Sequence, residues 1–316
     1  MNHIMSERPY HPILTNQVFQ SLLSTKTIHV IAPASGLSPQ EIAKLQQLPF
    51  SSTLIFEDIA SDEIPYHANT DEMRLAQLKA VLYDPRPNQI IWCLRGGYGS
   101  ARLIDGLQDL KPPLHEKMVI GYSDLTALHL FLSQQWGWRT VHGAGFAQLL
   151  NAKWDLNNFM RLACLIEDPV LPQLFSPLVP LNTLAQQSKL IQGKMNGGNL
   201  TLVESSIGTS WQINTAGCIL FLEEVGEKGY RIDRSLLHLK QAKLLNDVEA
   251  IVFGQCLSED EAMVTFALNR FAEESVIPVF QSQQFGHDIT NYPIIYQSLG
   301  SITCENDVLV LRMQVG

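Results

Sequence analysis

The sequence has no surplus of positive charge: 22 Lys plus Arg stand against 31 Asp plus Glu, a formal net charge of -9. Binding to a phosphate backbone draws on a basic patch or stripe, so no nucleic-acid partner is expected. Nor is there a run of about 18 apolar residues that would span a membrane. The start, MNHIMSERPYHPILTN, lacks the basic region and continuous apolar core of a secretory signal, which makes a cytoplasmic location the default expectation. Cysteine is scarce. Cys93, Cys164, Cys218, Cys256 and Cys304 are odd in number and scattered, with no CxxC and no Cys/His pair at ligand spacing. They read as reduced packing residues, with neither a disulfide framework nor a metal site expected. What is abundant is apolar: 46% hydrophobic against 17% charged residues, a balance that builds a core and is not that of a disordered chain. At about 150 residues per domain, 316 residues suggest two domains.

The first half alternates short β-rich runs with helical patterns. A strand is predicted over 27–34 (TIHVIAPA), after which Ser38-Pro39-Gln40-Glu41 supplies an N-cap, a proline at the first helical position and a glutamate three residues on. A weaker strand at 54–56 precedes a cap signal in Asn69 with Glu72 and a helix ending near Tyr83. QIIWCL at 89–94 and MVIG at 118–121 are short apolar runs, each followed by a glycine-bearing turn and an amphipathic helix. Such repetition implies an α/β domain with a buried parallel sheet and helices on both faces. Prolines 169, 172, 177 and 180 then crowd into PVLPQLFSPLVP. The division read from this is a first domain over 1–168, a linker over 169–187 and a second domain over 188–316. In the second, strands GCILFLEE, EAIVFGQC and SVIPVF alternate with helices near 231–245 and 261–273, and a hairpin closes the chain.

Chemistry concentrates in a few turns. Gly121-Tyr122-Ser123-Asp124 joins a strand to a helix, where a serine hydroxyl is presented at the carboxyl edge of the sheet with nearby amides aimed at a developing oxyanion. The alternative is a plain helix cap, because Leu125 replaces the second glycine of G-x-S-x-G. Arg95-Gly96-Gly97-Tyr98-Gly99-Ser100 is a second such turn. It reads as an oxyanion or carboxylate loop or as a tight turn, and less well as a nucleotide loop, since the third glycine of G-x-G-x-x-G falls on Arg102. Among nine histidines, His129 and His238 sit in apolar helix patterns and His3 and His11 near a frayed terminus. His142 and His287 lie in glycine-bearing loops after strands and are the candidate bases. Glu223 and Glu224 end a strand on opposite faces, so one can face a cleft and orient an imidazole. Alternation does not say which, and a pair of solvated charges is the competing reading.

In this order RGGYGSARL, GYSD, GGNL, LFLEEVGEKGYRIDRSL and FGH resemble the LD-carboxypeptidase family of serine peptidases, which includes the microcin C immunity hydrolases. The likeness runs from about Ile31 to the C-terminus. The resemblance implies an N-terminal α/β domain like the class I glutamine amidotransferase fold, a smaller C-terminal domain with a β-rich core, and a homodimer. It implies a Ser-His-Glu triad of Ser123, His287 and Glu223 rather than Glu224, set across the domain boundary and working without metal or cofactor. The amides of Asp124 and the Gly96-Gly97 loop would be oxyanion donors. Arg95, Arg231 and Arg234 would bind a substrate carboxylate, unless Arg231 or Arg234 pairs with Glu227 or Asp233. The implied substrate is a cytoplasmic murein tetrapeptide, cut at its terminal D-alanine. Two alternatives stand beside it. One is an amide hydrolase of peptidyl or aminoacyl nucleotides, for which Trp154 or Trp211 would stack on the base, and the other is a non-catalytic small-molecule binding module. Tyr122 stands where some members have histidine, and residues 1–26 lie outside the resemblance.

Overall fold

Alternate residues of three neighbouring strands feed two different cores. In the computed structural model, which describes residues 11–50, 52–57, 65–87 and 89–314, these strands are β1 (Thr27–Ile31), β3 (Gln89–Cys93) and β4 (Met118–Gly121), with β2 (Thr53–Phe56) and β5 (Val141–His142) beside them. Ile28, Val30, Ile90, Trp92 and Ile120 face one side with Phe19, Leu45 and Phe159; Ile31, Ile91, Cys93 and Val119 face the other with Leu78, Val81 and Leu128. A sheet buried on both faces is what nearly continuous apolar runs encode. The five strands are parallel. Helices α1 (Gln17–Leu23), α2 (Pro39–Gln46), α3 (Asp71–Leu82), α4 (Thr126–Gln135) and α5 (Leu156–Glu167) cover them.

Local signals place most of these elements. The capping box of α2 forms between Ser38 and Glu41. The cap of α3 is Thr70, one residue later than expected, because Asn69 spends its side-chain oxygen on the Thr70 amide. After β3 the expected amphipathic helix is only a 3-10 stretch, Ser100–Gly106. His11, read as part of a frayed terminus, is buried, with Nε2 at 2.9 Å from the Trp154 carbonyl.

The rest of the chain builds a closed barrel from β6 (Gln173–Pro180), β7 (Leu190–Asn199), β8 (Cys218–Val225), β9 (Ala250–Leu257), β10 (Val279–Gln281), β12 (Leu299–Glu305) and β13 (Val308–Gln314), in the order β10-β6-β13-β12-β7-β8-β9. Strands β7 to β10 run parallel, with α7 (Leu200–Ser205), α8 (Gly229–Gln241) and α9 (Glu261–Glu274) as crossovers. The remaining pairings are antiparallel. Closure leaves these strands no open edge. Strand β11 (Ile294–Ile295) leaves the barrel and pairs antiparallel with β5 at the edge of the first sheet.

The expected linker over 169–187 is a correction. It holds β6, hydrogen-bonded on both sides, and α6 (Thr183–Gln187). Prolines usually exclude a two-sided strand, but here the register shifts between Leu309 and Leu311, opposite Ser176-Pro177, so the missing donor falls where the ladder is already interrupted. Phe175 and Leu178 on either side of that break are buried in the barrel core.

Candidate active site

Strand β4 ends at Gly121, Tyr122 stays extended, and Ser123 turns into the left-handed region with φ +63°. For an L-residue that backbone costs about 1–2 kcal/mol, and strained turns of this kind gather at functional sites. Ser123 is partly exposed while Asp124 and Leu125 behind it are buried. The helix-cap alternative does not describe this turn, since neither side chain caps α4. Asp124 instead ties it to the neighbouring glycine loop: its Oδ2 accepts from the Ser100 amide at 2.8 Å and its carbonyl from Ser100 Oγ at 2.5 Å. That loop lies directly on the serine. A Cβ at Gly96 would fall 2.7 Å from Ser123 Cβ and 3.0 Å from Oγ, so only glycine lets the backbone pass. Ser35 pins the same loop, donating its amide to the Gly96 carbonyl and accepting from the Tyr98 amide, both at 3.3 Å.

Both glutamates of β8 are buried, Glu223 at 0% and Glu224 at 3% exposure, which removes the solvated-pair reading. Their surroundings differ. Glu224 accepts from the Thr201 amide (2.9 Å) and hydroxyl (2.7 Å), from Asn199 Nδ2 (3.1 Å) and from the Val225 amide (2.8 Å), and so anchors the start of α7. Burial still raises its pKa above the usual carboxylate range. Glu223 turns to the other side, where Oε2 lies 2.5 Å from His287 Nδ1, and its Oε1 is buried without a hydrogen-bond partner. Burial alone would push the His287 pKa down; the Glu223 carboxylate more than offsets it, and the net shift is upward. With Nδ1–H given to Glu223, Nε2 is the nitrogen left free to take a proton.

The His287 ring lies 4.8 Å from that of Tyr122, the residue before Ser123. Ser123 Oγ and His287 make no hydrogen bond to one another here, a gap of the kind that substrate binding commonly closes. His142, the other candidate base, is fully buried with Nε2 at 3.2 Å from Asn291 Oδ1, and burial lowers its pKa to about 4. His129 is a packing residue as read, buried with Nε2 on the Gly121 carbonyl at 2.9 Å. His238 is not: it is half-exposed on Glu204.

Of the three arginines, Arg95 is exposed on the glycine loop, where its charge opposes part of the rise that burial imposes on the Tyr122 pKa and adds to the lowering that the Ser38 hydrogen bonds give Glu41. Arg231 takes the structural alternative, with Nη1 at 3.1 Å from Glu227, and both Arg231 and Arg234 lie 6.0 Å from the Tyr230 ring. Asp233 pairs with Arg270 instead. Trp211 is buried, whereas Trp154 is partly exposed and meets the Tyr122 ring edge-on at 6.2 Å. The GGNL motif serves packing: a Cβ at Gly198, which has φ +127°, would fall 2.5 Å from Thr126 Oγ1, and that oxygen accepts from the Asn199 amide at 3.0 Å. The barrel thereby docks on the first residue of α4, three residues after Ser123. Sequence reasoning missed Gln255, Asn158 and Asn291, buried amides that hold the loop around His287; a lone polar residue in the apolar run IVFGQC was the available signal for the first.

Residues 28–143 match the LD-carboxypeptidase N-terminal domain and residues 192–302 the LD-carboxypeptidase C-terminal domain. The chain belongs to the LD-carboxypeptidase family. It is 47% identical to a protein of Rickettsia conorii that carries a provisional carboxypeptidase name, over 89% of each chain. It is 30% identical to the murein tetrapeptide carboxypeptidase of Pseudomonas aeruginosa, over 84% of this chain and 89% of the relative. The crystal structure of a muramoyltetrapeptide carboxypeptidase from Oxalobacter formigenes has the same fold, with a TM-score of 0.71 at 22% identity over 92% of this chain and 99% of that one. Family and relatives' names indicate a carboxypeptidase. Among the described residues no helix is long and apolar enough to cross a membrane, and no three His, Cys, Asp and Glu side chains are grouped to hold a metal ion.

Proposed function

We propose that the protein is a serine LD-carboxypeptidase that removes the terminal D-alanine of murein tetrapeptides, with Ser123 as nucleophile, His287 as general base and Glu223 as the carboxylate that orients it. The observation that carries the reading is the pairing of two unusual features: a serine held at φ +63° against a glycine backbone, and a buried glutamate that leaves a histidine with one free nitrogen beside the same turn. A relative at 30% identity bears the murein tetrapeptide name.

In the proposed reaction His287 Nε2 takes the Ser123 proton as Oγ attacks the carbonyl carbon of the L,D-amide. Amides of Asp124 and of the Gly96-Gly97 loop receive the negative charge that grows on the oxygen. The imidazolium, steadied by Glu223, then gives its proton to the leaving amine of D-alanine. Water attacks the acyl-enzyme with its proton passing to His287, and the shortened peptide and free Ser123 are restored. Arg95, exposed on the glycine loop and outside the ion pairs of Arg231 and Arg270, is the cation suited to the D-alanine carboxylate. The reading carries with it a cytoplasmic enzyme and a homodimer.

Product analysis on a murein tetrapeptide and an acyl-sulfamoyl adenylate, side by side, tests it. Release of D-alanine by wild type, abolished in a folded Ser123→Ala variant, is the expected result. Cleavage of the adenylate alone would move the substrate to the nucleotide class, and wild-type turnover by Ser123→Ala would end the serine mechanism.

A further inference from the structure

His142 ends β5, is wholly buried, and has no part in the proposed chemistry. Its ring meets three aromatic rings edge-on: Tyr122 at 5.9 Å, Phe221 at 5.6 Å and Phe285 at 6.4 Å. These stand one residue before Ser123, two before Glu223 and two before His287, so a single imidazole touches all three elements that carry the proposed triad.

Its polar edge is equally constrained. Asn291 Oδ1, 3.2 Å from His142 Nε2, also accepts from the Gly286 amide at 3.2 Å. A backbone N–H can only donate, so the atom facing it is the side-chain oxygen, and His142 must carry its own proton on Nε2 and donate it. Asn291 is itself fixed, its backbone N–H donating to Asn158 Oδ1 at 2.8 Å while Asn158 Nδ2 donates to the Ile289 carbonyl at 2.7 Å. From the barrel side Gln255 holds the same loop, accepting from the Asp288 amide and donating to the Gln283 and Thr290 carbonyls. His142 and Asn158 precede the barrel, in the part of the chain that bears Ser123; the loop they fasten carries His287.

We infer that His142 is a positioning residue of the proposed triad, holding the His287 loop against the Ser123 turn through Asn291 while its ring spaces the three elements. The inference rests on the proposed serine mechanism. His142 cannot serve as the base itself, since Nε2–H is committed to Asn291 and Nδ1 is buried.

The test compares full-length His142→Phe, Asn291→Ala, their double variant and His142→Gln. It reads kcat and KM on murein tetrapeptide, the rate at which a fluorophosphonate labels the serine, and the melting temperature. His142→Phe and Asn291→Ala are each expected to lower kcat and labelling by about 10- to 100-fold with KM nearly unchanged, the size of effect that slight misplacement of a catalytic group produces, and Asn291→Ala the more because it also removes the acceptor of the Gly286 amide. The double variant should be no slower than the slower single, because both cut one hydrogen bond. His142→Gln, whose amide can donate from nearly the same place, should recover most of the rate whatever its melting temperature. A folded Phe or Ala variant with wild-type kcat and labelling, or a Gln variant as slow as the Phe one, overturns the inference. Because the bond is cut from both ends, one folded variant of the two decides. A wild type that resists the reagent refutes the serine mechanism and the inference with it, whereas a labelled wild type with indifferent variants refutes the inference alone.

Discussion

Replacing Glu223 by Gln removes one charge from a buried pair whose nitrogen and oxygen lie 2.5 Å apart. At an effective dielectric near 20 and about 4 Å between charge centres, that charge is worth on the order of 4 kcal/mol to the imidazolium, or up to about 3 pH units of His287 pKa. A base works only when neutral. Because Glu223 raises the His287 pKa above the ordinary histidine value, the acid limb of kcat/KM in the wild type should lie above pH 6.5. Taking the charge away leaves burial opposed only by the weaker pull of Glu224, so in Glu223→Gln the limb should move down by at least about one unit. The plateau should fall as well, by as much as about 10⁴-fold, because an amide nitrogen facing Nδ1 would drive the ring proton to Nε2 and fill the site of the base. Measuring kcat/KM from pH 5 to 9 for both enzymes checks sign and size together. A wild-type limb below 6.5, or a limb unmoved in the variant, would refute the reasoning. Glu224→Gln is the control: it disturbs the anchor of α7, so it should cost about 1–3 kcal/mol in a thermal melt while the limb and kcat of the folded enzyme stay near wild type.

Ser123→Gly should abolish turnover yet raise the melting temperature, since glycine adopts φ +63° without the penalty of a Cβ; a dead variant that melts lower would argue against the strained-turn reading. Gly96→Ala should cut kcat steeply while the protein still folds, because the added methyl would crowd Ser123 Oγ at 3.0 Å; full activity would mean that the loop is not part of the oxyanion site. Treatment with EDTA should leave activity unchanged, as expected for the proposed acyl transfer, and recovery of a chelated enzyme with zinc would overturn that mechanism.

Much of the first sheet was legible because its signals are local. The capping box at Ser38 and Glu41 needs only four residues, and the nearly continuous apolar runs QIIWCL and MVIG write two buried faces directly into the chain. Signals that depend on a partner failed. The prolines of 169–180 look like a linker by composition, and only the register shift in β13 shows why a strand tolerates them. His11 looks terminal by position, yet the Trp154 carbonyl waits for it more than a hundred residues away.

The site divides along the same line. Period two in β8 put Glu223 and Glu224 on opposite faces, but it is silent on what covers each face. The difference comes from two distant elements: α7, whose first amides and Thr201 hydroxyl surround Glu224, and the loop after β10, which brings a single histidine to Glu223. A carboxylate that meets four donors is spent on holding structure. One that meets a single imidazole, with its second oxygen left bare, is available to trade charge with it. The same holds for the two histidines. His142 and His287 share a glycine-bearing loop setting in sequence, and both are largely enclosed, but one has its donor committed to Asn291 and the other has an anion at its back. Burial takes the His142 pKa down, its bond to Asn291 offsetting only part of the fall, whereas at His287 the Glu223 carboxylate outweighs burial and the pKa moves up. Residue type marks which groups can do chemistry; the long-range partner that each buried polar atom finds decides which of them is free to do it.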